Sequence, residues 1–183
     1  MRNLNLPQRQ REGYSGKRAV LDQRRLDASG HQSERQHSHY DLVVVGAGIA
    51  GLNALHAASL YLPPTARILL IDAKDRPGGM WTMAYDYVHL HQPHPLFTVG
   101  GSQWEWRKPR HYLAARDEVQ HHLASCLRTL RDKFDVGERF GFYVSEVREE
   151  LHSGIWGAEV DFHRIGDPNE AHTVVADRVI HAS

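Results

Sequence analysis

Tyr40-Asp41-Leu42-Val43-Val44-Val45-Gly46-Ala47-Gly48-Ile49-Ala50-Gly51 is the stretch on which the reading of this chain turns. Its first six residues form a continuous, largely β-branched apolar run, the pattern of a strand buried on both faces of a parallel sheet. Behind the glycines, Ile49, Leu52, Leu55, His56, Ala58, Ser59 and Leu60 keep helical spacing until Pro63-Pro64 stops the helix. A second strand, Arg67-Ile68-Leu69-Leu70-Ile71-Asp72, then ends in an acid 21 residues after Gly51. Together these parts predict one βαβ unit.

Each residue type in that unit has a physical task. Gly46 permits a tight turn out of the strand, Gly48 lets backbone approach a pyrophosphate, and Gly51 lets helix and strand pack closely. The helix N-terminus offers unpaired N–H groups and the positive end of its dipole to phosphate oxygens. Asp72 can accept hydrogen bonds from a ribose diol and would repel a 2′-phosphate placed there. A lone GxGxxG is a weak signal. Flanked by strand, helix and acid at this spacing, it predicts dinucleotide binding.

The surrounding composition sets bounds. The chain has 183 residues, enough for one domain with a core and cramped for two. Its 22 basic and 22 acidic side chains cancel, so bulk charge offers nothing to a nucleic acid. The total conceals a split. Residues 1–39 hold eight Lys or Arg against four Asp or Glu and lack apolar periodicity, so a disordered basic tail is predicted there. An organelle presequence is the other reading of its arginines and serines, opposed by Glu12, Asp22, Asp27 and Glu34. One cysteine, Cys126, excludes an internal disulfide and fits a reducing compartment. With no apolar run of membrane-spanning length, the expected location is cytoplasmic.

After Asp72 the sequence continues Ala73-Lys74-Asp75-Arg76-Pro77-Gly78-Gly79-Met80-Trp81. This resembles the stretch after the second strand in two-dinucleotide flavoproteins. The Gly-Gly-x-Trp ending is similar to that of the class B flavoprotein monooxygenases, which comprise the flavin-containing and Baeyer–Villiger enzymes. The resemblance continues through Tyr112-Leu113-Ala114-Ala115, an apolar stripe Val119, Leu123, Leu127 and Leu130 on a helix from about Arg116 to Lys133, and Phe140 to Val147, similar to the family's third parallel strand. Ile155 to Phe162 and His172 to Ala176 resemble its β-meander, and Asp177 to Ser183 the strand that closes it.

The resemblance implies an α/β fold: a doubly wound, Rossmann-like parallel sheet with an inserted β-meander, here incomplete at the C-terminus. It implies FAD as cofactor. The pyrophosphate would lie at Gly46, Gly48, Ala50 and Gly51, and the adenosine ribose at Asp72 beside Ala73 and Lys74. The adenine would lie against the backbone of Val144, and the ribityl and flavin end along Gly79, Met80 and Trp81. His91 and Gln92 stand where relatives place polar residues near the isoalloxazine, and Ala182 ends the closing strand. The family also uses NADPH, but its FxGxxxH fingerprint and second GxGxxG domain are not in this sequence. Residues 40–183 are therefore expected to be an FAD-binding domain cut off before the NADPH domain.

The function expected is the FAD-binding part of an NAD(P)H-dependent, monooxygenase-like oxidoreductase, with no catalytic residue assigned. A non-catalytic nucleotide-binding or interaction module and a stand-alone NAD-binding protein are the alternatives. FAD is the expected partner. Nucleic acid and membrane are not expected, and substrate and oligomeric state are not legible.

His89, His91 and His94 have an HxHxxH spacing, but no carboxylate or cysteine completes a shell, so no metal is expected. Trp104-Glu105-Trp106-Arg107-Lys108-Pro109-Arg110 mixes stacking and charge, and packing beside the flavin loop is expected of its tryptophans. Cys126 reads as a small core residue. No P-loop lysine, CxxC or Ser/His/Asp order is present, which removes kinase, zinc-ribbon and hydrolase readings.

Overall fold

A computed structural model of the chain describes residues 38–152 and 155–183. The tail expected over residues 1–39 lies outside these, apart from its last two residues. In chain order the elements are β1 (Ser38–Tyr40), β2 (Leu42–Val45), α1 (Ile49–Ala58), β3 (Arg67–Asp72), α2 (Arg116–Arg131), β4 (Asp135–Phe140), β5 (Phe142–His152), β6 (Ile155–Arg164), β7 (Asp167–Ala176) and β8 (Val179–His181). Two short 3₁₀ turns, Gly79–Thr82 and His94–Leu96, interrupt the long connection from β3 to α2.

Strands β4-β3-β2-β8 form a parallel sheet in that order. A second sheet runs β1-β7-β6-β5, antiparallel except for the β1–β7 pair. Alternation along β2 and β3 explains the layering, because successive side chains leave a strand on opposite faces. Leu42, Val44, Ile68 and Leu70 pack on Leu52 and Leu55 of α1 and Leu123 of α2. Val43, Val45, Leu69 and Ile71 pack on Phe142, Val160, Phe162 and Val174 of the second sheet. Helices cover one face of the parallel sheet and the β-meander covers the other. That is why the predicted strands read as unbroken apolar runs.

Three boundaries differ from the sequence reading. Ser38 and His39, assigned there to the tail, belong to β1 and pair with Val174 and Val175. Tyr40 ends β1 and Leu42 begins β2. At Asp41 the chain changes sheets, its N–H bonded to the Arg67 carbonyl and its carboxylate accepting the Arg67 N–H at 2.7 Å. Helix α1 stops at Ala58, five residues before the prolines, where the Ser59 hydroxyl donates to the His56 carbonyl at 2.6 Å.

The third difference is larger. Phe140 to Val147 is not the third parallel strand. That strand is β4, in register with β3 from Arg67↔Asp135 to Asp72↔Phe140, and Phe142 onward is the first meander strand. Gly141 separates them at φ +77°, its N–H donating to the Lys74 carbonyl at 2.7 Å. This left-handed turn breaks a run that alternates smoothly in hydropathy. Among the described residues no helix is long and apolar enough to cross a membrane.

The α1–β2 contact depends on Gly51. A Cβ there would lie 1.8 Å from the Gly46 carbonyl oxygen, so helix and strand touch backbone to backbone. Gly51→Ala is expected to cost about 3 kcal/mol or more in urea unfolding, because the obstructing atoms are main chain. Gly101→Ala, where a Cβ meets nothing within 4 Å, is the control and should change stability by less than about 0.5 kcal/mol. Equal effects would contradict the packing account.

Candidate functional site

The ends of β2, β3 and β8 converge on one turn. Gly46 leaves β2 at φ +108°, and its N–H donates to the Ile71 carbonyl at 2.7 Å. The Ala182 N–H donates to the Val45 carbonyl at 2.7 Å, and a Cβ on Gly46 would lie 2.7 Å from the Ala182 carbonyl oxygen. The fold itself thus demands glycine at positions 46 and 51. Gly48 is different. It has φ −79°, open to any residue, and the nearest atom to a Cβ there would be the Gly79 Cα at an ordinary 3.4 Å.

Gly48 is also the N-cap of α1. No side chain caps this helix, and no acidic residue stands in its first turn. Its first N–H groups and the positive end of its dipole are therefore not compensated by a side chain. Exposed Ala50 sits in that first turn and adds only a methyl group.

Asp72, 7% exposed, ends β3 beside this turn. Its Oδ2 accepts the Ala47 N–H at 2.5 Å and its Oδ1 accepts the Lys74 N–H at 2.6 Å. The acid therefore clamps the glycine turn to the β3 end. A carboxylate has about four acceptor positions, so two remain. Ala73 is exposed, and Lys74 is half-buried with its carbonyl held by Gly141.

The Gly78-Gly79 segment folds back onto the same turn. The Gly78 N–H donates to the Ala47 carbonyl at 3.0 Å, and Gly79 lies against Gly48. Beyond it Met80 is exposed, whereas the Trp81 ring is in the core, edge-on to Phe97 at 5.9 Å. The Trp81 carbonyl accepts the Gln120 side-chain N–H at 2.5 Å, tying the loop to α2. His91 and Gln92 are exposed, and the Gln92 amide donates to the Leu96 carbonyl at 3.3 Å. Val144 is half-buried in β5, an edge strand, next to a bulge at Ser145. The structure thus gathers Gly46, Gly48, Ala50, Gly51, Asp72, Gly79 and Ala182 around one turn.

The HxHxxH stretch comes apart. His89 and His91 are exposed, while His94 is buried among Trp104, Trp106 and Tyr112 at ring distances of 5.5, 4.8 and 6.3 Å. Among the described residues no group of three His, Cys, Asp or Glu side chains is arranged to hold a metal ion.

One cluster was missed by sequence reading. His122, 2% exposed, stacks on Trp104 with ring centroids 4.0 Å apart, and its Nε2 lies 3.6 Å from Cys126 Sγ. Its signal was its place on the apolar face of α2, one turn before Cys126. Burial pushes the Cys126 thiol up, away from the thiolate that a nucleophile needs. Burial also pushes the His122 imidazole down to about 4, with Glu105 opposing and His121 and His94 adding to the shift.

The unfolded chain binds a proton near pH 6.5, whereas folded His122 resists it down to about 4, so this stability is full above pH 6.5 and is lost as pH falls toward 4. The amount is on the order of 3 kcal/mol. Urea midpoints measured across that window should fall less steeply for His122→Phe, which keeps a ring on Trp104. Parallel profiles would contradict the assignment.

Comparison with known proteins fits this geometry. Residues 44–110 match the family described as an NAD(P)-binding Rossmann-like domain. A FAD-dependent monooxygenase of Pyrenophora dematioidea is 47% identical over 53 residues, which is 28% of this chain and 9% of that protein. An uncharacterized protein of Mycobacterium tuberculosis is 41% identical over 59 residues, 32% of this chain and 11% of that protein. A flavin-containing monooxygenase from Stenotrophomonas maltophilia superposes with a TM-score of 0.61 at 24% identity, covering 79% of this chain and 38% of that one. The chain spans about a tenth of the length of these two sequence relatives.

Proposed function

We propose, from a Rossmann-like chain similar in sequence to FAD-dependent monooxygenases and in fold to their dinucleotide domain, that this protein is the FAD-binding part of an NAD(P)H-dependent flavin oxidoreductase of the monooxygenase kind. The carrying observation is Gly48. Fold constraints account for Gly46 and Gly51, but neither the backbone angle nor a clash at Cβ requires glycine at the uncapped N-terminus of α1. A ligand that must touch that backbone does account for it.

On this reading the amides of Gly48, Ala50 and Gly51 bind the pyrophosphate, over the turn that Gly46 makes and Ala182 backs. The two acceptor positions left on Asp72 take the adenosine ribose hydroxyls, flanked by Ala73 and Lys74. The adenine contact carried over from the resemblance, the backbone of Val144, lies on the edge of the meander strand β5 rather than on the third parallel strand β4. Gly79, Met80 and the backbone of Trp81 line the ribityl and flavin end, with His91 and Gln92 beside it. The Trp81 ring contributes by holding that loop in the core. The FAD-binding domain spans residues 38–183, preceded by the basic tail.

Bound FAD would supply two-electron redox chemistry, and in a monooxygenase the transfer of an oxygen atom to substrate. The residues described here bind and orient it. None is assigned a catalytic role, and the nicotinamide cofactor and substrate are properties of the whole protein.

Gly48→Ala separates cofactor binding from folding. Its unfolding free energy should stay within about 1 kcal/mol of the parent, the usual cost of Ala for Gly at an N-cap. FAD affinity, followed by quenching of flavin fluorescence, should fall by about a hundredfold or more as the methyl displaces the pyrophosphate. An unchanged affinity, or no binding by the parent chain, would overturn the proposal. Asp72→Ala is expected to weaken FAD and also to destabilise the turn, since it removes the Ala47 clamp.

A further inference from the structure

A surface depression shares no lining residue with the glycine turn. It is a half-open depression of about 640 Å³, within the range of small-molecule sites, and its lining includes Trp104, Trp106, Arg107, Lys108, Ser102 and His94. One rim of it is fixed to α1, because the Asn53 amide donates to the carbonyl of the lining residue Thr98 at 3.3 Å and accepts the Gly100 N–H at 2.9 Å.

Its aromatic wall is rigid before any ligand arrives. The Trp104 indole N–H donates to the His94 carbonyl at 2.9 Å, and one indole face is covered by His122. Trp106 lies 4.9 Å from Trp104 at an interplanar angle of 45°, and both are half-buried. A ligand stacking here would pay little for ordering side chains.

The wall carries a bias of charge. Glu105, the acid between the two tryptophans, is drawn away onto α2, accepting from Ser125, from His121 at 2.5 Å and from Arg128 at 3.1 Å. The hydrogen bond from Ser125, and next that from His121, hold its carboxyl below the ordinary range, so it stays ionised and engaged there. Lys108 places its ammonium 4.9 Å from the Tyr112 ring centre and 5.8 Å from that of Trp106. Among the described residues neither Arg107 nor Lys108 is in an ion pair.

We propose that this depression is a binding site for a small aromatic carboxylate, distinct from the dinucleotide site. The planar body would lie against Trp104 and Trp106 where they line the depression, and the carboxylate would meet Arg107 and Lys108, whose guanidinium and ammonium groups suit it. No residue named for the dinucleotide site lines this depression.

The test is titration of the full chain with 2-naphthoate, read by tryptophan fluorescence and by calorimetry, with and without saturating FAD. Saturable binding tighter than about 1 mM is expected, and it should be unchanged by FAD. The exposed pair Arg107→Gln with Lys108→Gln should weaken it about tenfold, as should replacing the carboxylate with the neutral alcohol 2-naphthylmethanol. Absence of saturation, indifference to the charge change, or competition by FAD would each overturn the proposal. Tighter binding of adenosine monophosphate than of naphthoate would overturn the carboxylate assignment. A chain that fails to bind FAD but binds naphthoate in this charge-dependent way would sink the FAD reading alone.

Discussion

Where α1 leaves β2, the chain passes so close to itself that a single methyl group on Gly51 would reach 1.8 Å from the Gly46 carbonyl oxygen. That approach brings the helix N-terminus down onto the end of β2. The parallel register then puts Asp72, at the end of β3, and Ala182, just past β8, at the same edge. In open parallel sheets the crevice beyond the carboxyl ends of the strands is where ligands collect. Here that edge is set by one backbone contact, and the buried faces of β2 and β3 keep it in place.

The loops around this turn hold one another. Asp72 fixes the Ala47 N–H, the Ala47 carbonyl fixes the Gly78 N–H, and Gln120 of α2 fixes the Trp81 carbonyl. Each bond is short-range, yet the chain of them ties residues far apart in sequence. Helix α2 is itself fixed at its start, where the Glu118 carboxylate accepts the Ala115 N–H and the Tyr112 hydroxyl, both at 2.9 Å. A turn held from three sides is ordered in advance, so binding there loses less entropy.

The βαβ unit was legible because its signals are local. An apolar run, three glycines, a helical stripe and a terminal acid each report on their own neighbourhood, and β3 has the bounds read from the sequence. Strand β4 was not legible. Of Asp135-Val136-Gly137-Glu138-Arg139-Phe140 only two residues are large and apolar, and pairing with β3 rather than patterning makes it a strand. Its neighbour β5 looked continuous with it because hydropathy does not register the positive φ of Gly141. The burial of His94 and His122 was hidden for a similar reason: their partners Trp104 and Trp106 come from another segment, and aromatic packing at that distance leaves no periodicity. The resemblance put Trp81 along the flavin end, whereas its ring is in the core.

On the proposed reading, the turn from Gly46 to Gly51 receives the pyrophosphate of FAD. Backbone amide resonances of the labelled chain, followed by NMR as FAD is added, test it most directly. The largest shifts are expected at Gly48, Ala50 and Gly51, with Lys74 and Gly79 next and the meander strands β6 and β7 unmoved. Shifts centred elsewhere, with these amides unmoved, would contradict it.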